Sequence, residues 1–237
     1  MSKVIAVFGA GTGLGASVAR RFGREGFRVA LVARRRERLN ALVSELAEEG
    51  IEAAAFPADL SDPARVPALV DAIRDRFGQI DVVEYGPGGA DPYFTPATQL
   101  DATTLERFSR LWLLTPVELF RTVLPEMTER GDGAVLMATG LTALQPMANR
   151  SGPGAVMAAA RNYVYSLNAE LADTGVYAGT LCIGALIAGS EIAQAATAAA
   201  EVLIVDPAEL AEHYWDMYTR RDRVEQVHPS ATTAEAA

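Results

Sequence analysis

Lysine is almost absent from this chain of 237 residues. Lys3 is the only one, and the other 20 of the 21 basic residues are arginines. Chemistry that needs an ammonium group anywhere but at the start of the chain is therefore excluded. The net charge of -9 also argues against nucleic-acid or anionic-membrane partners, because both need excess positive charge.

Cysteine and histidine are nearly as scarce. Cys182 is the single cysteine, so no internal disulfide can form and a reducing compartment is expected. His213 falls in the last predicted helix and His228 in the C-terminal tail. Two separated histidines do not support a zinc site or a Ser-His relay, so we expect no metal centre.

No uninterrupted apolar run approaches the roughly 20 residues of a membrane span. The first strand-like run, KVIAVF, begins at Lys3, which leaves no room for an export leader, so a cytoplasmic protein is expected. Half of the residues are hydrophobic and 22% are charged, as in ordinary globular domains. We predict one domain over residues 1–227, followed by a flexible tail, HPSATTAEAA, over residues 228–237.

Short β-branched runs alternate with helical patterns along the whole chain. The candidate strands are KVIAVF, RVALVA, IEAAAF, IDVVEY, GAVLMA and VYAGTLCI. This alternation with short connections predicts an α/β fold, a doubly wound parallel sheet with helices on both faces. Residues 86–100 and 189–203 interrupt the pattern and are interpreted as a ligand-lining loop and a lid; plain surface connections are the alternative.

A glycine loop follows the first strand in FGAGTGLGASVARRF. Gly9, Gly13 and Gly15 lie where a strand turns tightly into a helix, so the helix N-terminus can face a pyrophosphate. The alternative is a tight turn without a ligand. The second strand ends at Ala33 and is followed by Arg34, Arg35 and Arg36 rather than by an acidic residue. Arg34 and Arg35 suit a 2′-phosphate and predict NADP(H), unless they are only the solvated first turn of the next helix.

Three stretches together resemble the short-chain dehydrogenase/reductase family: FGAGTGLG at 8–15, ADLSD at 58–62 and IDVVEYGPGG at 80–89. The resemblance covers nearly the whole chain. It implies a Rossmann-type sheet of seven strands, a nicotinamide cofactor, a small-molecule substrate, and a homodimer or homotetramer built on the fourth and fifth helices. The further cofactor-binding residues that it implies are Thr12, Leu14, Asp59, Leu60, Gly86, Pro87, Gly88 and Leu186.

The catalytic residues of that family are all replaced here. Its Ser falls on Gly140, its Tyr on Pro153, its Lys on Met157 and its Asn on Trp112. The interval from Gly140 to Pro153 matches the family's Ser-to-Tyr spacing, and the only lysine lies far away in the sequence. The usual proton relay is therefore predicted to be absent.

Other residues near the expected cleft could replace it. Tyr85, which ends the fourth strand, is the first candidate acid, although an aromatic packed at a strand end is the alternative. Arg161 could bind an anionic substrate or could be a surface or dimer-interface charge. The remaining candidates are Tyr93, Thr139, Thr142, Asn149 and Ser151.

Three functions remain open at this stage. The first is an NADP(H)-dependent oxidoreductase with a non-standard active site, which the retained glycine loop and arginines favour. The second is a catalytically inactive NADP(H)-binding homologue, either a sensor or a partner subunit. The third is a non-redox isomerase or cyclase that uses the same pocket by positioning its substrate.

Overall fold

A computed structural model of the chain describes residues 2–88, 94–195 and 203–230. Strands and helices alternate as the sequence predicts. The strands are β1 Val4–Phe8, β2 Arg28–Ala33, β3 Ala53–Pro57, β4 Val82–Tyr85, β5 Gly133–Gly140, β6 Val176–Ile183, β7 Leu186–Ile187, β8 Ile204–Val205 and β9 Glu225–His228. The helices are α1 Leu14–Arg24, α2 Arg36–Glu48, α3 Val66–Phe77, α4 Ala102–Ser109, α5 Thr115–Arg130, α6 Pro153–Glu170, α7 Glu191–Ala195 and α8 Pro207–Arg220.

Seven strands form one parallel sheet in the order β3-β2-β1-β4-β5-β6-β9. The predicted doubly wound parallel sheet is confirmed. Phe8 pairs with Tyr85, and Tyr85 with Met137, so the central strands carry their loops at the same carboxyl edge. Ligand sites of such sheets lie at this edge, where the strand order reverses.

The two faces of the sheet bury separate apolar clusters. Val7 and Leu136 face α1 and α8, whereas Val83 and Tyr85 face α3, α5 and α6. Each fully buried aliphatic side chain contributes roughly 1.5–3 kcal/mol to folding. Both faces of the central strands are therefore covered, as parallel strands require.

Helix capping follows from local sequence. Asp206 accepts a hydrogen bond from the Ala208 N–H at 2.8 Å, with Pro207 as the first residue of α8. Residues 110–114 form a π-helical turn between α4 and α5. Pro116, the second residue of α5, has no N–H and therefore cannot form the regular α-helical bond to the Trp112 carbonyl.

Three sequence-based boundaries can be compared with the structure. The tail is predicted to begin at His228, which in the structure is the last residue of β9. Residues 231–237 of that tail lie outside the described part of the chain. The predicted lid contains α7, but residues 196–202 are not described. The predicted ligand-lining loop is described except for 89–93, which include Tyr93. Within the described ranges no helix is long and apolar enough to cross a bilayer.

Candidate active site

The glycine loop packs against the end of β4. Gly9 has φ of +112°, and a side-chain carbon there would lie 2.7 Å from the backbone of Pro87. A side-chain carbon on Gly15 would lie 2.5 Å from the Gly9 carbonyl oxygen. Both contacts are too close for any larger residue, so the loop brings bare backbone to the switch point of the sheet.

The start of α1 is suited to an anion. Gly13 caps the helix without a side-chain hydrogen bond, and the first turn holds no acidic residue. The first N–H groups of a helix lack intrahelical partners and carry a partial positive charge. A diphosphate therefore fits this position on backbone chemistry alone.

Segment 187–191 lies against the same loop. The Thr12 hydroxyl donates a hydrogen bond to the Gly189 carbonyl at 2.6 Å. A side-chain carbon on Gly13 would lie 3.4 Å from Ile187 and 3.5 Å from Ser190. Thr12 and Gly13, two of the predicted cofactor residues, therefore pack against segment 187–191.

The arginines after β2 lie near the same corner. Arg34 and Arg35 are exposed, and Arg35 is the N-cap residue of α2. Arg35 and Arg38 donate hydrogen bonds to the same oxygen of Glu191, with 2.6 Å between Arg38 Nη1 and Glu191 Oε1. Arg38 was not selected from the sequence. It lies three residues after Arg35, close to one helical turn, and this spacing could have indicated that the two arginines share a helix face.

Two predicted adenine contacts occupy different environments. The exposed Asp59 accepts hydrogen bonds from the Ser61 N–H at 3.0 Å and the Ser61 hydroxyl at 2.8 Å. These bonds, and then the positive charge of Arg34, hold the pKa of Asp59 below its ordinary value despite some desolvation. Leu60 is buried in the core, and its carbonyl accepts a hydrogen bond from Thr115 at 2.8 Å. Only its backbone can therefore border a ligand.

The remaining predicted cofactor residues line the edge of the sheet. Leu14 is buried beneath Gly86, and Leu186 is half-buried at the start of β7. The Trp112 indole N–H donates to the Pro87 carbonyl at 3.0 Å. Gly88 is exposed, with nothing within 4 Å of the position that a side-chain carbon would take. Trp112 therefore fixes the turn that sequence analysis assigns to the cofactor.

Three of the positions that the resemblance assigns to the family's catalytic residues, Gly140, Met157 and Trp112, lie in one region of the structure. A side-chain carbon on Gly140 would lie 3.6 Å from the Met157 sulfur. Met157 and Trp112 belong to one buried apolar cluster with Phe108 and Val156. The side chains around the predicted lysine and asparagine positions are therefore aliphatic, thioether and aromatic groups.

Pro153 is the buried first residue of α6, and a tightly packed glycine lies on each side of it. A side-chain carbon on Gly152 would lie 2.7 Å from the Phe108 ring, and one on Gly154 would lie 2.8 Å from the Thr142 carbonyl. The Thr142 hydroxyl lies 3.9 Å from the side-chain position of Gly140. Thr142 therefore brings a hydroxyl close to the place where the family has its serine.

Tyr85 is not exposed to the cleft. Its side chain is fully buried on the α5 face of the sheet, and its hydroxyl donates to the Leu111 carbonyl. Burial raises the pKa of Tyr85 well above its ordinary value. This geometry supports the packing role that sequence analysis gave as the alternative, and it leaves the phenol poorly placed as an acid.

Glu84 is a buried acid that sequence analysis did not select. Its side chain has no exposed surface, and neither carboxyl oxygen has a hydrogen-bond partner among the described residues. Burial raises its pKa to about 8. The carboxyl occupies the space that a side chain on Gly86 would need, beside Leu14. The sequence feature that could have indicated a buried acid is the single charged residue within the apolar run VVEY.

The other candidate polar residues have mostly structural partners. Thr139 is buried, with its hydroxyl 3.2 Å from that of Thr180. Ser151 pairs through its backbone with Thr95, and Asn149 is exposed with φ of +62°. Tyr93 lies outside the described residues. Among the described candidates, Asn149 and Ser151 are not among the contacts of the Gly140 position.

Arg161 forms a part-buried ion pair with Glu225 of β9, at 2.7 Å, and contacts Tyr165. This intramolecular pair differs from both roles considered for it in the sequence, a substrate anchor and a surface or interface charge. Two N–H groups of the guanidinium each donate a hydrogen bond to one of the two oxygens of the Glu225 carboxylate. Arg161 therefore fastens α6 to the last strand of the sheet.

The two histidines contact each other, which their separation in the sequence did not indicate. His213 Nε2 and His228 Nδ1 are 2.9 Å apart at the end of β9. Burial, and then the charge of His228, lowers the pKa of His213. No group of three metal-ligating side chains is found among the described residues.

Comparison with known proteins assigns the family. Residues 3–200 match the family model described as short chain dehydrogenase. A putative ketoacyl reductase of Streptomyces coelicolor is 32% identical over 195 residues, which cover 77% of this chain and 70% of that protein. The 1-deoxy-11-beta-hydroxypentalenate dehydrogenase of Streptomyces exfoliatus is 30% identical, with 77% of this chain and 67% of the relative covered.

Solved structures agree on the fold. A putative short-chain dehydrogenase/reductase from Burkholderia xenovorans superposes with a TM-score of 0.87 at 23% identity, covering 98% of this chain and 97% of its own. A variant of actinorhodin polyketide ketoreductase with NADPH gives a TM-score of 0.84 at 24% identity and 95% coverage of both chains. The family match and the shared fold together show that the chain belongs to the short chain dehydrogenase family.

Proposed function

We propose that this protein is an NADP(H)-dependent oxidoreductase of the short-chain family with a non-standard active site. The observation that carries the proposal is the glycine loop. Gly9 and Gly15 tolerate no side chain, and the uncapped start of α1 is suited to a diphosphate. A glycine loop of this form has no structural use that a less constrained turn would not serve.

The phosphorylated dinucleotide is favoured by charge. Arg34 and Arg35 follow β2 in place of the acidic residue that an NAD site uses for the ribose 2′-hydroxyl. Arginine also matches phosphate geometry through paired N–H donors. Similar folds in complex with NADP or NADPH are consistent with this choice.

The dinucleotide, when bound, supplies or takes the hydride. The protein has to position the substrate, exclude water and provide a path for any proton that the substrate gains or loses. Phe108, Trp112, Val156 and Met157 form a buried apolar cluster beside Gly140. An apolar or aromatic organic substrate suits a cleft bordered by this cluster.

Thr142 is the hydroxyl we assign to the reacting group of the substrate. It lies beside Gly140 and forms no side-chain hydrogen bond with the described residues, so it can donate one to a carbonyl or imine. A threonine hydroxyl does not release a proton at neutral pH. The substrates that fit best are therefore those whose reduction needs no strong local acid. One is an enone, whose carbonyl accepts the hydrogen bond from Thr142 and whose enolate is protonated by water after hydride transfer. The other is an iminium ion, which accepts hydride without a proton and whose N–H donates to the Thr142 oxygen.

A second function is favoured by the same apolar cluster. Hydrocarbon at the places of the family's tyrosine and lysine fits a protein that binds the dinucleotide without turning over, as a sensor or as a partner subunit. The homodimer or homotetramer predicted from the resemblance, through α5 and α6, and a cytoplasmic location remain predictions.

The test combines binding with turnover. NADPH binding is measured by titration, and NADPH oxidation is followed with matched apolar carbonyl, imine and enone substrates. Oxidation with an imine or enone, and much less with a simple ketone, supports the proposal. Tight binding with no oxidation on the whole panel supports the second function, and the absence of binding would overturn both.

A further inference from the structure

Glu191 lies at the corner of the site where a 2′-phosphate would bind. It is the first residue of α7, and one of its carboxylate oxygens accepts hydrogen bonds from both Arg35 and Arg38. These bonds, with the positive charges behind them, lower the pKa of Glu191 below its ordinary value. An acidic group is therefore already bound to Arg35, which the sequence assigns to a phosphate, and to the neighbouring Arg38.

Segment 187–191 is fixed over the glycine loop at a second point. The Thr12 hydroxyl binds the Gly189 carbonyl at 2.6 Å, and a side-chain carbon on Gly189 would lie 3.2 Å from the Thr12 carbonyl oxygen. Glu191 thus reaches Arg35 from a backbone that is anchored at the start of α1. The ion pair is part of this packing rather than an isolated surface contact.

We propose that Glu191 is a specificity-determining residue of the dinucleotide site, whose carboxylate competes with a 2′-phosphate for Arg35 and Arg38 and so lowers the preference for the phosphorylated dinucleotide. A dinucleotide with a free 2′-hydroxyl does not need these donors and binds with the ion pair intact. The inference rests on the proposed function, because it assumes that a dinucleotide occupies the glycine loop.

The size of the effect follows from the exposure of the pair. The side chains of Arg35 and Arg38 are 53% and 50% exposed, and that of Glu191 is 37% exposed. Exposed ion pairs are weak and are screened by salt. Displacing Glu191 should therefore weaken NADPH binding by about three- to tenfold relative to a site without that carboxylate.

The chain offers a matched control. Glu49 also bridges two arginines, Arg20 at 2.8 Å and Arg24 at 3.0 Å, and it lies at the opposite end of α2 from Arg35. Glu49→Gln removes the same charge and the same kind of ion pair as Glu191→Gln. It leaves the glycine loop untouched, so it measures the effect of overall charge alone.

The experiment is a fluorescence titration of NADPH and NADH into the full chain, as wild type, Glu191→Gln and Glu49→Gln. We expect Glu191→Gln to bind NADPH about three- to tenfold more tightly and NADH within twofold of wild type, and Glu49→Gln to change neither. Adding Arg38→Ala to Glu191→Gln should remove most of the gain, because the freed donor is then lost.

The outcomes separate the two claims. A wild type that binds NADPH, with no tightening in Glu191→Gln or with equal tightening in Glu49→Gln, overturns the role of Glu191 and leaves the proposed function standing. A wild type that binds neither dinucleotide overturns the proposed function and this inference with it.

Discussion

The Met157 sulfur lies 3.6 Å from the position that a side-chain carbon on Gly140 would occupy. These are the residues that the resemblance predicts at the family's lysine and serine positions, and the fold brings the two close together. Methionine fills the gap with a soft apolar group that neither binds nor releases a proton. Any reaction here has to use other groups.

Replacing Thr142 tests the hydroxyl that we assign to the substrate. Thr142→Val keeps the shape and removes the donor beside Gly140. We expect kcat/KM for the best substrate to fall about tenfold, the equivalent of about 1.4 kcal/mol and of one hydrogen bond to the reacting group. Steady-state kinetics with NADPH in excess measures the change.

Thr122 provides the control for that variant. Its hydroxyl binds the Glu118 carbonyl within α5, away from Gly140. Thr122→Val should leave kcat/KM within twofold of wild type. An equal loss of kcat/KM in Thr142→Val and Thr122→Val would contradict the assignment of the Thr142 hydroxyl to the substrate.

Replacing Tyr85 separates packing from catalysis. Tyr85→Phe removes the hydrogen bond to the Leu111 carbonyl inside the core. We expect the free energy of unfolding to fall by about 1–3 kcal/mol, because a part-buried acceptor loses its donor, while turnover stays unchanged. Urea unfolding and initial rates measure the two effects, and a large loss of rate in a well-folded variant would restore Tyr85 as the acid.

Glu84 makes stability depend on pH. Burial disfavours the carboxylate and raises the pKa of Glu84 from its ordinary value of 4.5 to about 8 in the folded protein. The folded state therefore holds the proton more tightly, so this contribution is fully present below about pH 4.5 and is lost as pH rises towards about 8. The buried hydroxyl of Tyr214 in α8 is the titratable group that interacts with the Glu84 carboxylate, whose charge raises the pKa of Tyr214 in addition to burial.

Glu84→Gln keeps a neutral side chain of the same size at every pH. We expect its free energy of unfolding, relative to wild type, to rise by about 1.4 kcal/mol per pH unit between about pH 5 and pH 8. Glu48→Gln, exposed on α2, should show no such slope. A flat difference for Glu84→Gln, measured by urea unfolding across this range, would show that the carboxyl is ionised or solvated in the folded protein.

Arg34 tests the preference for the phosphorylated dinucleotide without involving Glu191. Arg34→Ala should weaken NADPH binding about tenfold at low salt and leave NADH unaffected, because only the 2′-phosphate needs this charge. Arg36→Ala, on the exposed first turn of α2, is the control. Equal effects of the two substitutions would indicate only a general attraction between positive charge and NADPH.

The order of strands and helices could be predicted because each strand is a short apolar run and each helix keeps its own spacing. The glycine loop was predictable for the same reason: Gly9 and Gly15 are required by close backbone contacts within one βαβ unit. β9 was not identified among the candidate strands, since its four residues, EQVH, are largely polar and lie at the edge of the sheet.

The missed residues depend on contacts between distant parts of the chain. Glu191 reaches Arg35 across 156 positions, and His213 meets His228 only because β9 returns beside α8. Glu84 lies within a predicted strand, but which face it occupies and the space left by Gly86 follow from the assembled sheet. Local patterns therefore identified the elements and the loop, but not the partners of these charges.

Isotope transfer tests the central claim most directly. The wild-type protein is incubated with NADPH deuterated at the hydride-donating carbon and with the panel of imine and enone substrates, and the products are examined by mass spectrometry. The account predicts one deuterium in the product of at least one substrate, at the carbon that accepts the hydride. Tight NADPH binding with no deuterium in any product would contradict an oxidoreductase and leave a protein that binds the dinucleotide without using it.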